Sequence, residues 1–128
     1  MIEVQAMFPV MVSENLAALK DFYQSTFGFT AVFYDPEFYL HLVSENGVQL
    51  GFLVPEHATQ PEFLHPIMAR EGYVISLEVA DARSAYEWAT KNDLTVAMPL
   101  KEEVWGQVHF MVEDPAGFKV DIVEHVSQ

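Results

Sequence analysis

Apolar and polar positions follow one another along this chain in short blocks whose period changes several times. Ala6 to Val12 is a mostly apolar run with β-branched members and reads as a strand, and the Ser13-Glu14-Asn15 that follows consists of turn and helix-capping types. Leu16, Leu19, Phe22, Tyr23 and Phe27 then recur at helical spacing, with Gly28 where a left-handed C-terminal cap is commonly needed. This stripe predicts an amphipathic helix with Phe22 and Phe27 in the core. Three strand-like runs follow, Phe29 to Tyr34, Phe38 to Val43 and Val48 to Val54, separated by the turn residues Asp35-Pro36 and Glu45-Asn46-Gly47. The order is β-α-β-β-β.

Residues 55–71 hold three prolines and two histidines with little periodicity and read as a connection. The earlier order then returns. Tyr73 to Val79 is a strand, and Asp81 caps a helix that carries Ala82, Ala85, Tyr86 and Ala89 on one side, with Trp88 expected in helix-to-sheet packing. Leu94 to Met98, Gln107 to Val112 and Phe118 to Val123 supply three more strands, the last two joined by the turn Glu113-Asp114-Pro115-Ala116-Gly117. The pattern predicts one α+β domain over residues 1–128, built of two tandem βαβββ modules at about 1–54 and 72–128 with a linker at about 55–71. Two curved sheets, each with a helix on one face, leave concave faces, and a cleft between them is the expected ligand site.

Composition narrows the chemistry. The 128 residues amount to a single core, and 51% hydrophobic content rules out a disordered chain. A formal charge of −13 repels a phosphate backbone and an anionic membrane surface, so neither nucleic acid nor membrane is an expected partner. The absence of cysteine removes disulfides, thiolate metal sites and a thiol nucleophile. The opening Met-Ile-Glu-Val lacks the basic start and apolar stretch of a signal peptide, which predicts a cytoplasmic location.

Several short motifs, in this order and inside the paired pattern, carry a resemblance. They are Asn15-Leu16, Asp21-Phe22-Tyr23 and Phe27-Gly28-Phe29 in the first half, and Trp105-Gly106, Phe110 and Asp114-Pro115-Ala116-Gly117 before a final strand in the second. With them the chain resembles the vicinal oxygen chelate superfamily, which includes glyoxalase I, extradiol dioxygenases, fosfomycin-resistance enzymes and bleomycin-resistance binding proteins. The resemblance implies the βαβββ pair and, in catalytic members, a divalent metal held by His or Glu from four strands. Carried over, those places fall on Met7 or Phe8, Gln49, Val74 and Asp121. Only Asp121 is a conventional ligand there, and a metal site needs about three protein ligands. No metal and no cofactor are therefore expected, and the chain reads closest in kind to the metal-free binding members.

The expected ligand-binding residues are Met7, Phe33, Phe38, Gln49, Val74, Glu78, Trp105, His109 and Asp121, an apolar set with few polar anchors. Strand parity puts Glu78 with Val74 and Ser76 on the face away from the helix, against Ile75, Leu77 and Val79. Trp105 beside Gly106 offers a stacking surface, and the acidity favours a cationic ligand. The first expectation is a homodimeric protein that sequesters a small, partly aromatic and cationic ligand such as an antibiotic. The rival is a lyase, isomerase or dioxygenase with an unconventional site around Asp121, His41 and His109, since fold does not fix function. His57, His65 and His125 lie where a histidine is ordinarily solvated.

Overall fold

Period-two alternation builds two four-stranded mixed sheets, each backed by one helix. The computed structural model describes residues 1–127 and divides into two compact units, Met1–Ala69 and the chain from Arg70 onward. In the first unit the elements are β1 (Val10–Val12), α1 (Leu16–Phe27), β2 (Thr30–Asp35), β3 (Tyr39–Val43) and β4 (Gln49–Leu53). The strand order is β1-β4-β3-β2, with β1 parallel to β4 and the other pairs antiparallel. The second unit repeats this with β5 (Ile75–Glu78), α2 (Ala82–Lys91), β6 (Thr95–Glu103), β7 (Gln107–Glu113) and β8 (Lys119–His125), ordered β5-β8-β7-β6. This is the expected α+β pair of βαβββ modules.

In the first module α1 ends as its sequence predicts. Gly28 takes a left-handed φ of 72°, which lets the N–H groups of Gly28 and Phe29 donate back to the carbonyls of Gln24 and Tyr23. Asn15 also sits in the left-handed region and makes no side-chain cap. The core is Leu19, Tyr23, Leu40, Leu42 and Phe52, all fully buried, with Tyr23 ringed by Phe27, Phe29 and Phe52 at 5.7–5.9 Å. Phe22, expected in this core, is only half-buried. Successive residues on a helix point about 100° apart, so Tyr23 takes the centre of the stripe and Phe22 its edge.

In the second module Asp81 caps α2 by accepting from the Ser84 N–H at 3.0 Å and the Ser84 hydroxyl at 2.8 Å. Those bonds hold its carboxyl below the usual range. Phe110, Val112, Phe118 and Val120 are fully buried. Trp88 is 44% exposed, against the expectation of helix-to-sheet packing, because Ala82 and Ala89 define the buried side of α2.

Two boundaries differ by more than two residues from those expected. The first strand is confined to Val10–Val12, leaving residues 6–9 outside it. The sixth strand passes through Pro99 to Glu103, where the sequence reading stops at Met98. Its register shifts between Val96 and Met98 and again before Lys101, and it is an edge strand, the setting in which a sheet accommodates proline. The connection contains a short 3-10 helix, Glu62–Leu64, and its Met68 N–H donates to the Val12 carbonyl of the first module. Among the described residues no helix is long and apolar enough to cross a membrane.

Candidate functional site

Strand alternation in the second sheet sends Val108, Phe110 and Val112 of β7 and Val120 and Ile122 of β8 into the buried core. Their neighbours His109 and Asp121 point to the opposite face. There Ser76, directly across from Asp121, donates from Oγ to Asp121 Oδ2 at 3.3 Å. Asp121 Oδ1 lies 2.8 Å from His109 Nδ1, and His109 Nε2 lies 2.9 Å from Glu103 Oε2. Lys101 Nζ completes the chain 3.2 Å from Glu103 Oε1. His109, Asp121 and Glu103 are all close to buried at the side chain.

A neutral imidazole has one N–H and satisfies one carboxylate, whereas an imidazolium donates to both. Burial alone pushes the His109 pKa down, but the hydrogen bonds to Glu103 and Asp121 outweigh it and hold the ring above its ordinary value. The same bond from His109 is the main reason that the Glu103 carboxyl lies below its ordinary range. Glu103 also borders a cavity of about 450 Å³ within this module, along with Asp81, Glu102, Glu124 and Arg83.

The open face of the first sheet carries a different set. Tyr39 Oη lies 2.7 Å from His41 Nδ1, and His41 Nε2 lies 2.7 Å from Gln49 Oε1. Phe8 packs edge-on against His41 at 4.7 Å, and Phe33 and Phe38 lie 6.3 and 6.1 Å from the Tyr39 ring.

The expected site residues are thus distributed unevenly. The structure joins His109 to Asp121 and Gln49 to His41. Phe33 and Phe38 lie beside Tyr39. Met7 is 77% exposed ahead of β1, and Val74 is exposed just before β5. Glu78 is exposed at the end of β5 and pairs with His125 at 2.9 Å. Trp105 is 63% exposed in the β6–β7 turn, its Nε1 donating to Gln107 at 3.0 Å. Sequence reasoning missed Glu103, Ser76 and Tyr39. Parity of Ser76 with Glu78 was the available signal for one of them, while Glu103 lies beyond Met98, where the sequence pattern ends its strand.

The strand registers also decide what stands beside Asp121 within its own sheet. In the second sheet Asp121 pairs with Ser76 and Met111; in the first, Gly51 pairs with Val10 and His41. Ser76 is thus the β5 neighbour of Asp121, and Val74, two residues earlier, precedes the paired strand. Around Asp121 the second sheet offers a donor set of one carboxylate and one hydroxyl, already hydrogen-bonded to each other, and both nitrogens of His109 are engaged. It does not fit a divalent metal, which needs about three strong ligands with free lone pairs. Among the described residues no group of three or more His, Asp or Glu side chains converges to hold one.

Comparison with known proteins agrees with this architecture. The model of the Glyoxalase/Bleomycin resistance protein/Dioxygenase superfamily matches residues 7–122. The chain belongs to that superfamily. A superfamily member from Sphaerobacter thermophilus DSM 20745 is 24% identical with a TM-score of 0.73, over 96% of this chain and 98% of its own. Lactoylglutathione lyase from Agrobacterium tumefaciens is 17% identical with a TM-score of 0.75, over 95% and 94%. TioX from Micromonospora sp. ML1 is 16% identical with a TM-score of 0.70, over 96% and 100%. No curated protein matches the sequence. At these identities the structural likeness establishes the fold.

Proposed function

We propose that this chain is a metal-free member of the superfamily that binds and sequesters a small, partly aromatic, cationic ligand. The observation that carries the reading is the clamp on Asp121. Its carboxylate is held by the His109 ring and the Ser76 hydroxyl, so it serves as a fixed negative anchor and is not presented to a metal. Asp81, Glu102 and Glu124 around the neighbouring cavity, with Arg83 as the cation among its lining residues, favour a positively charged guest. Trp105 at the turn offers an exposed aromatic face for stacking or cation–π contact.

Purified protein should contain no stoichiometric zinc, nickel, iron or manganese by elemental analysis. Calorimetric titration against cationic glycopeptide antibiotics should find a ligand that Trp105→Ala and Asp121→Asn each weaken by roughly tenfold. A bound metal near one per chain, removable by a chelator with loss of an activity, would favour the lyase, isomerase or dioxygenase reading instead.

The binding form is proposed to be a homodimer. Each sheet ends in two edge strands, β1 and β2 in one and β5 and β6 in the other, and sheet edges favour pairing with another chain. Light scattering should give about twice the 14.5 kDa chain mass. A value at the chain mass at micromolar concentration would remove this part of the proposal.

A further inference from the structure

The relay on the first sheet has a direction. The Gln49 amide oxygen only accepts, so His41 Nε2 carries the ring proton and donates it across 2.7 Å. His41 Nδ1 is then a bare lone pair, and its 2.7 Å contact is the Tyr39 hydroxyl donating. Burial raises the Tyr39 pKa, which keeps that proton on the phenol. With its one hydrogen committed to His41, the Tyr39 oxygen has only lone pairs left to offer, and donation to the imidazole makes it a stronger acceptor. Among the described residues no other donor occupies it.

The surroundings select what such an acceptor meets. A Cβ at position 51 would overlap the Tyr39 hydroxyl, so Gly51 leaves the space in which the phenol lies over the strand. Phe33, at 6.3 Å from the Tyr39 ring, is half exposed and presents an aromatic surface beside the phenol ring. Phe8, equally exposed, covers His41. Lone pairs and ring faces are both negative, so an anion is repelled, while a cation with N–H donors and an apolar body satisfies both.

We infer that Tyr39, with Phe33 beside it and His41 and Gln49 fixing its proton, forms a binding site for the N–H of an organic ammonium whose apolar part lies along the aromatic surface. This site stands on the first module alone and does not rest on the Asp121 anchor of the second.

NMR titration of the intact chain with 2-phenylethylammonium, and with 3-phenylpropionate as an anion of similar size, tests it. The ammonium alone should give saturable shifts at Tyr39, His41 and Phe33. Tyr39→Phe, which keeps the ring and removes the oxygen, should weaken that binding by roughly tenfold. Gly51→Ala should weaken it comparably by pushing the phenol aside, with thermal melts reporting that each variant is folded. Asp121→Asn should leave it unchanged, which separates this site from the second-sheet anchor. Nitrogen-15 shifts at a pH where His41 is neutral should place its proton on Nε2. Equal binding of the anion, parental affinity in Tyr39→Phe, loss in Asp121→Asn alone, no saturable shift at Tyr39, or a proton on Nδ1 would each overturn the inference.

Discussion

Replacing His109 with leucine should destabilise the protein by about 3 kcal/mol at pH 6, because removing one partner of a buried ion pair leaves the others uncompensated. The pair in question is well defined: Asp121 and Glu103 approach the two ring nitrogens at 2.8 and 2.9 Å, and the His109 side chain is 8% exposed. The effect carries a pH signature. His109 is raised in the folded state, so its contribution is fully present below about 6.5, the ordinary histidine value, and is lost as pH rises through the raised value. Glu103 is lowered, so its contribution is present above the ordinary glutamate range and is lost as pH falls through the depressed value. The network is strongest between those limits. Urea denaturation across pH 5 to 9 should therefore show parental stability declining above neutrality, with that part of the slope missing in His109→Leu. The double variant His109→Leu/Asp121→Asn should recover part of the loss, since an unpaired charge is gone. A His109→Leu protein with the parental slope above neutrality would mean that the ring is neutral in the native state.

Much of this network is invisible in the sequence for identifiable reasons. The helices and most strands are legible because their apolar residues recur at the right periods and end in the right chemistry, as Gly28 and Asp81 do. Asp121 is legible as well, seven positions after the Asp114 that opens its turn. His109 is legible with it as a member of the alternative site, but Ser76 and Glu103 are not, because they come from strands whose alignment depends on pairing register. Ser76 meets Asp121 through the parallel β5–β8 ladder. Glu103 reaches His109 only because β6 continues past Pro99 and shifts register twice on the way. A bulge adds a residue without leaving an apolar period to count, so the sequence gives no hint of which side of the strand Glu103 takes. Tyr39 was hidden differently: one more aromatic in an aromatic-rich run, distinguished only by the glycine across the sheet that makes room for its hydroxyl.

The largest loss of stability should come from Phe52→Ala, at about 3–5 kcal/mol. Phe52 lies in β4 with no exposed surface, paired with Met11 and Leu40 and with its ring 5.7 Å from that of Tyr23. Truncation removes the transfer energy of the ring and leaves a cavity that two flanking strands and α1 cannot close together, since Leu40 and Tyr23 are themselves fully buried. Phe22→Ala is the informative comparison. The helical spacing nominates Phe22 for the same core, yet its half-buried ring at the stripe's edge has solvent to fill the gap, so the cost should be about 1 kcal/mol. Thermal or urea melts of the two variants, run side by side, measure the difference directly. Equal losses would mean that Phe22 is covered in solution, most simply by a second chain, and repeating the melts at several protein concentrations would then show a stability that rises with concentration.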